Sequence, residues 1–363
     1  IKRKVAVKLI KPGMDSKQVV ARFHAERQAL AMMDHPSIAR VFDAGITDSG
    51  APYFAMELVK GAPINEFCEQ HQLGLRETLR LFLQVCHAVH HAHQKGVIHR
   101  DLKPSNLLVA VGEADLIAKV IDFGIAKALD ARLTDKTLFT EYGQMVGTLE
   151  YMSPEQAEMS AVDIDTRSDV YSLGVVLYEL LTGAPPITRD QLLHKGLFEI
   201  VRVMRNIDPV TPSSRVTEQG AHAKSIVAGR KWTPRSLQQG DLDWISLKAL
   251  EKDRRRRYDS VLDLARDIER YLVGDPVEAH PPTAAYRFGK FVRRHRFAAA
   301  AAMLAAVAIA VAVAGLAAGL RRSQEALAVA ERERESAVEA RRVADVSARR
   351  LAQSMYIELV ASA

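Results

Sequence analysis

The chain has 363 residues, 48% hydrophobic and 26% charged. That composition supports a sizeable core and excludes a disordered chain, a collagen or a disulfide miniprotein as a description of the whole. The formal charge of +6, from 50 Lys and Arg against 44 Asp and Glu, together with the run Arg254-Arg255-Arg256-Arg257, raises a nucleic-acid or membrane-surface reading that depends on where the basic residues sit.

Ile1 to Ile10 reads as a strand already under way at the first residue, so the expectation is an incomplete N-terminus. The first 30 residues hold no apolar run long enough for a secretory signal. Val5-Ala6-Val7-Lys8-Leu9-Ile10 is a β-branched run with a lysine in its middle, and a charge inside an apolar strand needs a partner. The helix expected from about Ser16 to Met33 has an inward face at Val19, Phe23, Leu30 and Met33, and Glu26 sits on that face. Two misplaced charges of opposite sign suggest one ion pair, and on these residues alone a structural role and a functional one both stay open.

A mostly helical region runs from about Leu75 to Leu272. Cys68 and Cys86 fall in apolar-periodic stretches without metal-ligand spacing, which points to small buried side chains in a reduced, cytosol-facing fold. His87, His90, His91 and His93 lie at helical spacings, but the apolar face Leu79, Phe82, Cys86, Val89 and the following Gly96 mark a helix running into a loop rather than a zinc site. That loop, His99-Arg100-Asp101-Leu102-Lys103-Pro104-Ser105-Asn106, holds a carboxylate, a lysine and an amide between two apolar strand fragments. Lys119-Val120-Ile121-Asp122-Phe123-Gly124 puts another carboxylate at a strand end. Two carboxylates and an amide can hold Mg²⁺, which prefers oxygen ligands and shares them with phosphates; a base near a metal-bound triphosphate is the apparatus of phosphoryl transfer. The segment from Pro185 to Asp241 is long and polar and shows no chemical constellation.

Gly274 to Pro282 reads as a Pro-containing linker. Arg287, Lys290, Arg293, Arg294 and Arg296 follow with no acid among them, and Phe297 to Leu320 gives 24 residues without a charge. At a rise of about 1.5 Å per residue this stretch reaches about 36 Å, enough to cross a hydrocarbon core of about 30 Å with some tilt. The basic flank places the preceding residues on the cytoplasmic side of an inner or cell membrane. The excess charge therefore marks topology and not nucleic acid. Ser323 to Gln353, rich in Ala, Glu and Arg, reads as a long solvated helix.

The motif set resembles the protein kinase family. Val-Ala-Val-Lys ending at Lys8, a helical Glu26, His99 to Asn106, Asp122-Phe123-Gly124 and Ser153-Pro154-Glu155 occur in the family's order, and the likeness covers about residues 1 to 272. A kinase domain followed by a basic segment and one span is similar to the transmembrane serine/threonine kinases of bacteria. The resemblance implies an α+β bilobal fold. Residues 1–56 would be an incomplete small lobe, 57–62 the hinge and 63–272 the large lobe; 273–296 would be a basic juxtamembrane linker, 297–320 a transmembrane helix and 321–363 an extracytoplasmic charged helix.

It also implies roles. Lys8 would contact the ATP phosphates and pair with Glu26; Asp101 would orient the substrate hydroxyl and Lys103 steady the γ-phosphate; Asn106 and Asp122 would bind Mg²⁺, with Mn²⁺ as a substitute. Backbone groups of Glu57 and Val59 would hold adenine, with Met56 limiting access behind it. His99, Phe123, Gly124, Thr148 and Asp169 would be structural, Asp169 fixing the catalytic-loop backbone, and Arg257 would pair with Glu155. Lys103 and the Gly147-Thr148 pair resemble serine/threonine rather than tyrosine kinases. Arg100 would meet a phosphate on the activation segment, whose candidates are Thr134, Thr137 and Thr140. The partners implied are ATP, protein substrates and membrane lipids at the span, and pairing into a homodimer stays open.

The departure is the missing Gly-rich loop: between Ile1 and Ala44 the only glycine is Gly13. A fragment of a complete kinase is the reading expected from that gap, and a catalytically inactive pseudokinase or scaffold is the alternative.

Overall fold

The computed structural model describes residues 3–9, 30, 32–48, 51–112, 115–123, 149–158, 164–193, 195–222, 240–281 and 283–361. They form two compact units, Ile1–Lys290 and Phe291–Ala363.

The first unit opens with three antiparallel strands, β1 (Val5–Leu9), β2 (Val41–Ile46) and β3 (Pro52–Glu57), in the order β1-β3-β2. Alternation sorts their side chains onto two faces. Lys8 pairs with Phe54 and Ala6 with Met56 across the β1–β3 ladder, and Phe54 and Met56 are buried. The opposite β1 face, Val5, Val7 and Leu9, is exposed.

After the hinge come β4 (Ala62–Pro63), α1 (Ile64–Gln70) and α2 (Leu75–Gln94). Gly61 is required where the chain passes Val109, because a Cβ there would lie 2.4 Å from the Val109 carbonyl oxygen. Helix α2 starts with Gly74 N–H donating to Glu77 Oε2 at 2.7 Å and buries Leu79, Phe82, Val85, Cys86 and Val89, one apolar stripe at helical spacing. It ends where Gly96 takes φ 75°, a conformation that suits glycine. The hairpin β5 (Leu107–Val111) and β6 (Leu116–Val120) joins β4 in a second sheet, ordered β4-β5-β6.

Helix α3 (Pro154–Ala157) is capped by Ser153, whose hydroxyl accepts Gln156 N–H. Helix α4 (Thr166–Thr182) is apolar almost all round, buried along nearly its whole length, and stopped by Gly183 at φ 90°, as befits the central helix of a lobe. Around it lie α5 (Arg189–Leu192), α6 (Leu197–Asn206), α7 (Pro212–His222), α8 (Asp241–Ala249) and α9 (Val261–Val273). Gly174 lets α8 approach: a Cβ there would meet the Ala249 Cβ at 2.8 Å. The described part of the polar 185–241 segment is thus helical, and its Leu192, Ile200, Val203 and Met204 form a small core with Leu149 and Ala157.

Helix α10 (Ala284–Arg294) leads out of this unit. In the second unit, α11 (Arg296–Ala361) is a single continuous helix that contains the apolar stretch and the charged one. It is the one helix among the described residues long and apolar enough to cross a membrane.

Candidate active site

The site is organised by a buried carboxylate. Asp169, in the first turn of α4, has no exposed surface. Its Oδ2 accepts His99 N–H at 2.8 Å and the His93 Nε2–H at 2.7 Å, and its Oδ1 accepts Arg100 N–H at 2.9 Å. Burial by itself would raise this carboxyl, but the His93 ring and the His99 groups beside it outweigh that and hold it below the usual range. The same bonds fix Arg100 at φ 63°, and Asp122 sits at φ 57°. Such left-handed conformations cost a non-glycine residue on the order of 1–3 kcal/mol and persist only where the surroundings enforce them.

His99 is buried, and burial is the main reason its pKa is lowered. A neutral ring with its proton on Nε2 fits both contacts: Nε2 lies 3.1 Å from the Ile121 carbonyl, and Nδ1 accepts Asp101 N–H at 3.3 Å. Its ring packs on Phe123 at 4.7 Å. The loop of residues 99–106 and the β6 end are therefore one cross-braced piece, and Ile121 N–H adds a bond to the Asn106 carbonyl at 2.9 Å.

On that base the polar side chains converge. Asp101 Oδ2 lies 3.0 Å from Lys103 Nζ and accepts Asn106 Nδ2 at 3.2 Å; the same amide nitrogen donates to the Asp101 carbonyl at 2.8 Å. Lys8 Nζ reaches Asp122 Oδ2 at 3.1 Å. Lys8, Asp101, Lys103, Asn106 and Asp122 are thus joined through direct contacts and the short Asp122–Ile121–Asn106 link. Glu26, Gly124, Thr134, Thr137, Thr140 and Thr148 lie outside the described residues.

At the hinge, Met56 is buried and Val59 half-buried. Glu57 N–H donates to the Arg40 carbonyl at 2.8 Å, and its carboxylate accepts Arg40 N–H at 3.2 Å and Lys119 Nζ at 2.8 Å. Further out, the Arg257 guanidinium forks onto Glu155 at 2.7 and 2.8 Å, and Ser168 Oγ donates to the same carboxylate at 2.8 Å. Burial pushes Glu155 up, but the Arg257 pairing is stronger and leaves it below the usual carboxylate range.

Two contributors escape sequence reasoning. His93 stands four residues after Val89 and seven after Cys86, on the apolar face of α2, and a polar residue there signals a buried partner; the partner is Asp169. Gln156 Nε2 donates to the Arg100 carbonyl at 2.9 Å, closing the second side of the strained residue. No group of three or more His, Cys, Asp or Glu among the described residues is disposed to hold a metal.

Known proteins are similar to this chain. The family model described as "Protein kinase domain" matches residues 1–259. Serine/threonine-protein kinase PknB of Mycobacterium leprae is 36% identical over 282 residues, covering 76% of this chain and 40% of that protein. A probable serine/threonine-protein kinase PknB of Bifidobacterium longum is 35% identical over 290 residues, covering 76% of this chain and 37% of its own length. The chain thus spans about two fifths of these curated relatives. Among solved structures, a cysteine-to-alanine mutant of the PknI kinase domain of Mycobacterium tuberculosis aligns with a TM-score of 0.50 at 24% identity, over 75% of this chain and 86% of that one, a likeness of fold.

Proposed function

The chain belongs to the protein kinase family, with bacterial serine/threonine kinases among its relatives, and on that premise we propose that it transfers the γ-phosphate of ATP to serine and threonine hydroxyls of proteins on the cytoplasmic side of a membrane. The family uses ATP and a divalent metal, and its substrates are proteins. The observation that carries the reading is the convergence of Lys8, Asp101, Lys103, Asn106 and Asp122 on a loop pinned by Asp169.

In this reading Asp101 orients the attacking hydroxyl and accepts its proton, and Lys103, 3.0 Å away, steadies the transferring phosphoryl group. Lys8 exchanges part of its contact with Asp122 for the α- and β-phosphates. Asn106 and Asp122 fit a magnesium ion: both offer oxygen, and because Asn106 Nδ2 donates to the Asp101 carbonyl, its amide oxygen is the atom that would ligate. When bound, the metal neutralises phosphate charge. The chain's own contribution is positioning and electrostatic stabilisation. With Glu57 N–H donated to Arg40, the adenine contact at that residue falls to its carbonyl, and Val59 supplies the second.

Arg100 Nε is buried without a hydrogen-bond partner among the described residues. A phosphate on Thr134, Thr137 or Thr140 would supply one, which supports activation by autophosphorylation. Phe297 to Leu320 crosses the membrane once, the basic residues before it meet anionic lipid, and the kinase is open to pairing with a second copy.

Magnesium-dependent ATP consumption and phosphothreonine formation test the reading, with Asp101→Asn as control. Equal phosphorylation by that variant, or none by the parent chain, would favour the scaffold alternative. Mass spectrometry showing Thr134, Thr137 and Thr140 all unmodified in active protein removes the activation step.

A further inference from the structure

The residues that follow α9 are gripped side chain by side chain. Gly274 ends the helix at φ 82°. Beyond it, Asp267, which has no exposed surface, accepts Glu278 N–H at 2.7 Å and Ala279 N–H at 2.8 Å, while also holding the Tyr258 hydroxyl at 2.9 Å and Arg270 Nη1 at 2.8 Å. Val277 is buried, and its N–H donates to the Tyr286 hydroxyl oxygen at 3.1 Å. That hydroxyl donates in turn to Asp241 Oδ1 at 2.9 Å, and the Lys290 ammonium closes on Asp241 Oδ2. His280 stacks on the Tyr286 ring at 3.8 Å and 6°, and meets Trp244 at 5.4 Å. Asp241, also fully buried, is the first residue of α8, where the helix dipole favours its charge.

A passive tether does not supply the partners of two buried carboxylates. Asp267 takes the Glu278 and Ala279 N–H groups in addition to Tyr258 and Arg270, and Asp241 takes its side-chain partners from Tyr286 and Lys290; a buried carboxylate deprived of such partners is strongly destabilising. Asp267 lies on α9 and Asp241 on α8, and α8 packs on α4, the helix that carries Asp169.

We propose that residues 275–281 and 283–290 are a coupling strap: an intramolecular ligand for the α8–α9 face, seated on Asp241 and Asp267, that delivers a displacement of the chain beyond Lys290 to the large lobe instead of absorbing it. The strap makes Lys290, and not Gly274, the point at which the following chain gains independence. This rests on none of the catalytic assignments.

Amide hydrogen exchange on the full chain, held in lipid nanodiscs, tests it. In the parent protein Val277, Glu278 and Ala279 should exchange at least about tenfold more slowly than in a free peptide of residues 273–290. Lys290→Met and Asp241→Asn should each accelerate exchange at Val277 and in the first turn of α8 by about tenfold or more, and the double variant should add little to either. The near-ultraviolet circular dichroism and urea midpoint of each variant serve as the fold control. If Lys290→Met does not fold, Tyr286→Phe removes a single hydroxyl and should still accelerate Val277. Free-peptide exchange at these amides in the parent chain overturns the strap. Acceleration at Val277 with α8 unchanged, or independent effects in the double variant, overturns the coupling.

Discussion

In the large lobe the catalytic loop hangs from a carboxylate that is wholly buried and accepts three hydrogen bonds, whereas in the small lobe Lys8 rides on an edge strand whose alternate side chains are exposed. The two halves of one site are thus held by different physics. Buried, fully satisfied polar groups specify a single geometry for Asp101 and Asn106. Backbone pairing to β3 and a half-exposed contact with Asp122 leave Lys8 freer to adjust. Under the proposed function, that division would suit a reaction whose base and metal ligands are fixed while a phosphate-binding lysine adjusts to its ligand.

The sharpest test of the contrast is chemical. Asp101→Asn should lower kcat by about 100- to 10,000-fold while leaving the melting temperature close to that of the parent, because its contacts are made at the site and not in the core. A large loss of melting temperature with little loss of kcat would invert the comparison. Next, Arg257→Ala strands Glu155 in a buried setting and should cost about 3–5 kcal/mol, read by urea unfolding; a change below about 1 kcal/mol would show that the pair is a surface feature. Asp169→Asn keeps the shape but weakens charge-assisted bonds to His93, His99 and Arg100. It should cost about 1.5–3 kcal/mol and reduce kcat more than the ATP KM, since the affected backbone carries Asp101.

Acid should act through the large lobe as well. The folded pKa of His99 is lowered by burial, and His90 is lowered for the same first reason. The unfolded chain therefore binds protons that the folded chain refuses below about pH 6.5, and stability present at neutral pH is lost as the pH falls through that range. Asp169 and Glu155, also held low when folded, add to the loss once the pH drops below the ordinary carboxylate values near 4. Equal urea midpoints at pH 7.5 and pH 5.5 would contradict a neutral, buried His99. The smallest effect belongs to the exposed strand face: Val7→Thr should change stability by no more than about 0.5 kcal/mol, and a larger loss would mean that β1 is as constrained as the loop.

How far the sequence reveals this depends on the distance between partners. Asp101, Lys103 and Asn106 sit within six residues of one another, so their chemistry reads directly from spacing. The alternation that puts Lys8 on the inner face of a strand is equally local. Glu155 and Arg257 are 102 residues apart, and only the family resemblance joins them in advance. His93 carries a legible sign, a polar residue on an apolar stripe, but composition favours the bland explanation, and the partner that changes its meaning lies 76 residues downstream. Asp241 and Lys290 are 49 residues apart, and the proline-containing stretch between them reads as a linker because backbone bonds to a side chain leave no periodic trace.

One contact at the hinge bears on how the lobes can move. The backbone of Glu57 completes β3 in the small lobe, and its carboxylate is bound by Lys119 of β6 in the large one at 2.8 Å. Glu57 is therefore held by both bodies, beside the backbone bonds that Ser37 and Ala39 make to Val120. Sliding one lobe along the other would have to break all of these shared bonds, so they form a seam between the lobes. Under the proposed function, adenine would lie at the Glu57 end of that seam.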